Sequence, residues 1–165
     1  MGIGKLLEEE MRAKRVKVAL LGEGSVGKTT LAQALTGSPL SARATIGVEV
    51  HVLELEGVPV VIVDPSGQRR FWFAVEFALR GAHLACYVFD VSEPDTLHAL
   101  VHYPKAAAHG VLVGNKIDIG FRVTKHEVEE VARRLGAERV FYTSALRGWG
   151  LDELASYIAK VSREL

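Results

Sequence analysis

Gly22-Glu23-Gly24-Ser25-Val26-Gly27-Lys28-Thr29 carries the clearest chemistry in this chain. It matches G-x-x-x-x-G-K-[ST] in full. Glycines let successive backbone N–H groups turn inward around phosphate oxygens. A helix opening at the lysine adds its N-terminal dipole and unpaired donors. Lys28 is then placed to neutralise the outer phosphates of a nucleotide, and the Thr29 hydroxyl to ligate Mg²⁺. By itself this motif does not separate adenine from guanine.

A second group addresses the base. Asn115-Lys116-Ile117-Asp118 directly follows the apolar run Val111-Leu112-Val113-Gly114. An aspartate carboxylate accepts two hydrogen bonds from guanine, one from the ring N–H and one from the exocyclic amine, and adenine lacks that donor pair. A buried acceptor left unpaired is costly, so such a site discriminates between the bases. Lys116 supplies an aliphatic stem to lie along the base. Thr143-Ser144-Ala145 ends another apolar run, and the Ala145 backbone N–H is the expected donor to the guanine carbonyl. N-K-x-D is a weak pattern alone; its weight comes from following a phosphate loop at the end of a strand.

A third group senses the terminal phosphate. Asp64-Pro65-Ser66-Gly67-Gln68 ends the run Val60 to Val63. Asp64 is expected to hold Mg²⁺ through a water, the Gly67 N–H to contact the terminal phosphate, and Gln68 to orient the attacking water. Thr45, in Thr45-Ile46-Gly47, completes the Mg²⁺ shell only when a third phosphate is present. Two loops would thus be held by the γ-phosphate and released after hydrolysis.

These groups need a scaffold that brings strand ends together. Short apolar runs alternate with helical patterns, which points to an α/β fold with a mostly parallel sheet. Strands are expected at Val16–Leu21, Val48–Leu55, Val58–Val63, His83–Val91, Gly110–Val113 and Arg139–Thr143. The turn Glu56-Gly57 makes the second and third an antiparallel hairpin, because parallel neighbours need a long crossover. Helices are expected near Lys28–Leu35, Trp72–Leu79, Asp95–His102, from Thr124 through Leu135, and over a closing stripe of Leu151, Leu154, Tyr157, Ile158 and Val161. Thr124 with Glu127 has the form of a capping box. The segment before Gly47 reads as a loop. The result is a six-stranded, mostly parallel sheet with one antiparallel hairpin and helices on both faces. Ligands in such sheets bind outside the carboxyl ends of the strands, where all three groups fall.

Composition narrows the rest. Twenty basic residues meet twenty acidic ones, so bulk electrostatic binding to nucleic acid is not expected. The lone cysteine, Cys86, reads as a small buried hydrophobe. No apolar run reaches the roughly 18 residues that a membrane span needs. Residues 1–14 read as an N-terminal helical extension and 15–165 as one nucleotide-binding domain. Gly2 follows Met1, but Leu6 stands where a myristoylation signal wants Ser or Thr. A weak membrane contact through Ile3, Leu6 and Leu7 is the lesser reading, and a cytoplasmic location the preferred one.

Across Val16 to the C-terminus the chain resembles Ras-superfamily small GTPases of the Ras, Rab and Arf kinds, with room for a prokaryotic-type member, and all five family motifs match in order. The resemblance implies the P-loop GTPase fold, GTP/GDP with Mg²⁺, and slow GTP hydrolysis. It implies nucleotide contacts from Gly24, Ser25, Val26, Gly27, Lys28, Thr29, Thr30, Gly67, Asn115, Lys116, Asp118, Ser144, Ala145 and Leu146. Metal ligation falls to Thr29, Thr45 and Asp64, and catalysis to Gln68, Lys28 and Thr45. Effector, activating and exchange proteins are expected at switch I, around 40–48, and switch II, 64–76. The sequence departs from the family in four places. No aromatic residue lies between Thr29 and Thr45, with Leu40 a candidate substitute; Pro65-Ser66 replaces Thr-Ala; Leu146 replaces a lysine; and the third helix is short.

Other residues admit two readings. Arg43 fits an internal arginine finger or a solvated loop arginine, and the second is preferred. Phe71-Trp72-Phe73 is too apolar for a purely solvated loop, so part should pack in the core and part should face a partner. His98 and His102 have a zinc-compatible spacing but no evident second pair of ligands, and read as a surface helix. The competing functions are a nucleotide-held scaffold or polymerising subunit with little turnover, and an adenine-specific P-loop enzyme, which would leave Asp118 unexplained.

Overall fold

Val16–Leu21, apolar except for Lys17, is the central strand, β1, and is buried along its whole length because both faces are covered. The computed structural model describes residues 2, 4–5, 15–36, 43–45, 48–65, 71–106 and 108–165, with the backbone alone at 43–45 and at Phe71. The remaining strands are β2 (Arg43–Thr45), β3 (Val48–Leu55), β4 (Val58–Asp64), β5 (Leu84–Asp90), β6 (His109–Asn115) and β7 (Val140–Tyr142). They lie in the order β2-β3-β4-β1-β5-β6-β7. β3 runs antiparallel to β2 and β4, and every other neighbouring pair is parallel.

All six expected strands are present. The segment read as a loop before Gly47 contributes a seventh, β2, paired to the outer side of β3. Three residues are too few to show a two-residue period, so composition could not reveal it.

Helices cover both faces as expected. On one face α1 (Lys28–Thr36) and α5 (Leu151–Arg163) pack over Val18, Leu20, Ile62, Cys86 and Val113. On the other lie α2 (Phe71–Leu79), α3 (Pro94–His98) with a 3₁₀ turn Ala99–His102, and α4 (Lys125–Leu135). The third helix is stunted, as its short segment implied. α4 opens with the expected capping box: Glu127 N donates to Thr124 Oγ1 at 3.1 Å, and Thr124 N donates to Glu127 Oε2 at 2.7 Å.

Two residues of the aromatic triplet lie outside the core. Trp72 and Phe73 are 50% and 67% exposed, and α2 is anchored instead by Ala74, Val75 and Ala78. Trp72 meets Tyr103 edge-on, with centroids 5.1 Å apart. Among the described residues no helix is long and apolar enough to cross a membrane. The 1–14 extension lies mostly outside them.

Candidate nucleotide site

The phosphate loop turns between β1 and α1. A 3₁₀ turn, Gly24–Val26, is closed by Gly27 at φ 91°. A Cβ there would lie 2.8 Å from Asn115 Nδ2, so only glycine lets the loop sit against the base-reading segment. A Cβ on Gly24 would meet nothing within 4 Å, which leaves the space over the loop open. The first N–H groups of α1 have no acceptor inside the helix.

Lys28 is buried, 3% exposed, yet its ammonium donates to Gly22 O at 2.7 Å and Glu23 O at 3.0 Å. Burial lowers its pKa, while Asp64 and Glu23 act to raise it. The loop therefore holds a desolvated cation, an arrangement that an anion would complete.

Asp64, at the end of β4, has no exposed surface. Its Oδ2 accepts from Thr29 Oγ1 at 3.0 Å, and its Oδ1 is buried without a hydrogen-bond partner among the described residues. Burial raises the Asp64 pKa, and Lys28 opposes that shift. An orphaned carboxylate oxygen beside a hydroxyl is a hard-oxygen donor set that fits Mg²⁺. No three His, Cys, Asp or Glu side chains among the described residues form a metal site by themselves. A cation here would depend on the hydroxyl and on ligand oxygens. The Thr45 side chain is not described, and Leu40, Ser66, Gly67 and Gln68 lie outside the described residues.

The base end is assembled from β6 and the loop after β7. Asn115 ties three segments together. Its Nδ2 donates to Val26 O at 3.0 Å, and its Oδ1 accepts from Thr143 Oγ1 at 3.0 Å and from Ala145 N at 3.1 Å. The Ala145 N–H expected to meet the guanine carbonyl thus donates to Asn115 in this structure. Ser144 Oγ donates to Asp118 Oδ1 at 2.8 Å and fixes the carboxylate. Gly27, Thr30, Asn115, Lys116, Asp118, Ile119, Ala145 and Leu146 line a cavity of about 220 Å³. Ile119 and Leu146, 64% and 78% exposed, give it an apolar rim.

Lys116 adopts the left-handed region at φ 67°, which costs a non-glycine residue on the order of 1 kcal/mol or more. Two contacts hold it there. Its ammonium donates to Ser25 O at 2.6 Å and pairs with Asp90 Oδ2 at 3.3 Å. Asp90 is a member of this framework that the sequence motifs do not include. It is buried at the end of β5, in register with Asn115, and accepts from Ser92 N and Ser92 Oγ. Its one sequence signal is a carboxylate ending a buried strand at the edge where ligands bind.

His98 and His102 stay apart from this site. They line a separate groove with His126, Glu127 and Glu130, and His98 Nε2 lies 3.2 Å from Glu127 Oε1.

Comparison with known proteins places the chain among Ras-related sequences. The model of the Ras family matches residues 17–164. Ras-related protein Rab-19 of Rattus norvegicus is 31% identical over 159 residues, covering 87% of this chain and 73% of that protein. Ras-related protein RABA5b of Arabidopsis thaliana is 32% identical over 170 residues, covering 90% and 77%. The tRNA modification GTPase MnmE of Aquifex aeolicus (strain VF5) is 31% identical over 178 residues; these cover 96% of this chain but 38% of that larger protein.

Proposed function

This chain belongs to the Ras family, and on that premise we propose that it is a guanine-nucleotide switch that hydrolyses GTP to GDP with Mg²⁺. The observation that carries the proposal is the Asp118 carboxylate, fixed by Ser144 in a cavity shared with the phosphate loop.

Each residue has a defined task in this reading. The phosphate-loop N–H groups and the N-terminus of α1 receive the phosphate oxygens. Lys28 gives up its loop carbonyls to meet the outer phosphates. Thr29 and Asp64 hold the cation, with Thr45 joining them in the triphosphate state. Mg²⁺, when bound, neutralises charge that builds on the phosphate oxygens. Gln68 orients the attacking water and Gly67 contacts the terminal phosphate, so catalysis rests on positioning and electrostatics. Asp118 accepts from the guanine ring N–H and amine, while the Lys116 stem, Ile119 and Leu146 cover the base. Loss of the γ-phosphate releases 40–48 and 64–76, the surfaces for effector, activating and exchange proteins. The exposed pair Trp72 and Phe73 supports the second of these surfaces.

The test is to release and identify the nucleotide bound after folding with Mg²⁺ and equal GTP and ATP, and then to follow single-turnover cleavage. Guanine nucleotide, cleaved more slowly in Gln68→Leu, supports the switch. Adenine nucleotide removes the base assignment. Tight guanine binding with negligible cleavage in either form favours the scaffold.

A further inference from the structure

The metal end of the site contains a carboxylate that none of the motifs assigns. Glu49 lies on β3 directly opposite Asp64 on β4. Its Oε2 is 3.4 Å from Thr29 Oγ1, the hydroxyl that donates to Asp64 Oδ2 at 3.0 Å. Oxygen ligands about 2.1 Å from an octahedral Mg²⁺ lie about 3 Å apart along an edge. Thr29 Oγ1 is therefore spaced from each carboxylate oxygen as a neighbour in or just outside one coordination shell. Two independent features show that this cluster lacks a partner. Asp64 Oδ1 is buried without a hydrogen bond among the described residues, and so are both ring nitrogens of His51. His51 has no exposed surface, and its Nε2 stands 3.6 Å from Glu49 Oε2.

Strand alternation explains the arrangement. Glu49, His51, Leu53 and Leu55 share one face of β3. Leu53 and Leu55 belong to the core that α1 covers, and Thr29 stands in the first turn of α1. The register that buries the leucines brings the carboxylate beside the Thr29 hydroxyl that Asp64 also holds. A buried imidazole behind it limits where that carboxylate can go, as outer-shell partners do at metal sites.

We propose that Glu49 is an additional acidic residue of the Mg²⁺ site, acting on the cation directly or through one water, and that His51 is its positioning residue. This rests on the nucleotide-switch reading and adds to it a β3 residue that couples cation binding to the strand following switch I. Glu49 contributes charge in the diphosphate state as well as the triphosphate state, because β3 belongs to the sheet core.

The test uses the full chain loaded with mant-GDP. Nucleotide dissociation is followed as Mg²⁺ is titrated, and Mn²⁺ binding to the GDP complex is measured by electron paramagnetic resonance. Glu49→Gln should weaken Mn²⁺ binding about tenfold, within the range that outer-shell groups contribute, and raise the Mg²⁺ needed to slow GDP release by a similar factor. Glu49→Asp, which keeps the charge, should recover part of that loss. His51→Leu, which keeps the burial, should move the Mg²⁺ dependence in the same direction as Glu49→Gln and add little to it in the double variant. A wild-type protein with Mg²⁺-dependent GDP retention, matched by Glu49→Gln at every Mg²⁺ concentration, overturns the assignment and leaves the switch intact. A wild-type protein whose GDP retention ignores Mg²⁺ overturns both.

Discussion

The two ends of the nucleotide site differ in how much of their polar chemistry is already satisfied. At the base end, Asn115 makes three hydrogen bonds, Asp118 is fixed by Ser144, and Lys116 is held by Ser25 and Asp90. At the phosphate end, Lys28 rests on two loop carbonyls and Asp64 keeps a buried oxygen without a hydrogen-bond partner among the described residues. One end is a finished template, and the other is completed by what it binds. That division suits a switch. In the proposed cycle, base identity would be read the same way in every state, while charge at the other end would register how many phosphates are present.

The largest effect expected belongs to Asp118. Asn there replaces one carboxylate oxygen by an amide donor, which faces the guanine amine and ring N–H unfavourably. A ligand built for that mismatch is a xanthine nucleotide, which carries a carbonyl where guanine carries the amine. Asp118→Asn should weaken GDP binding by about four orders of magnitude and reverse the preference between GDP and XDP, as read in competition against mant-GDP. Equal affinity of the variant and the wild type for GDP would show that the template is not reading the base.

Asn115→Ala probes whether the template exists before the ligand does. Val26 O, Thr143 Oγ1 and Ala145 N would each lose a partner. At roughly 1 kcal/mol for each lost bond, the nucleotide-free protein should lose about 3 kcal/mol in a urea melt. If stability without nucleotide is unchanged, the base end is no more prebuilt than the phosphate end and the contrast disappears.

Asp64→Asn makes the opposite prediction. Burial raises the Asp64 pKa, so the folded protein binds more protons than the unfolded chain just above the ordinary carboxylate value of 3.8. Its contribution therefore makes stability fall as pH rises through that window. The asparagine variant should lack this slope, measured as a difference from wild type so that other carboxylates cancel. Without nucleotide it should be at least as stable as wild type at neutral pH, yet its GDP retention should no longer respond to Mg²⁺. Clear destabilisation without nucleotide would mean that the phosphate end is also complete on its own.

Sequence alone carried most of this, but unevenly. Val16–Leu21, Leu84–Asp90 and the Thr124 capping box were legible because burial on two faces and cap chemistry leave local signatures. β2 was not, since a three-residue edge strand is defined by its partner. The phosphate loop and Asn115-Lys116-Ile117-Asp118 were legible because their spacing follows the ligand. Asp90 and Glu49 were not, because each acts through register: Asp90 lies beside Asn115, and Glu49 beside Asp64. The exposure of Trp72 and Phe73 was half legible, since an apolar triplet does not say which of its residues face inward.

A second buried lysine supplies the control for Lys28 and the smallest effect. Lys17, on β1, is 6% exposed, and its ammonium donates to Phe77 O at 3.1 Å and Arg80 O at 2.6 Å at the C-terminal end of α2. It also lies over the Phe77 ring at 5.5 Å. These acceptors are permanent, whereas those of Lys28 are exchanged for phosphate in the proposed cycle. Burial, with the Arg80 charge nearby, lowers the Lys17 pKa from 10.5 to about 8. Between these values the unfolded chain binds more protons than the folded one, so the sign of the linkage is positive. The cost of burying the charge is present below about pH 8 and is relieved as pH rises towards 10.5. Relative to Lys17→Met, wild-type stability should climb across that window, read from urea melts at several pH values. GDP affinity at pH 7 should stay close to wild type in Lys17→Met and collapse in Lys28→Met. A flat difference between Lys17→Met and wild type would mean that the two carbonyls already offset the burial of the charge. A loss of GDP affinity in Lys17→Met matching that of Lys28→Met would instead tie the end of α2 to the phosphate loop, and the two lysines would no longer divide into a fixed support and an exchanging ligand contact.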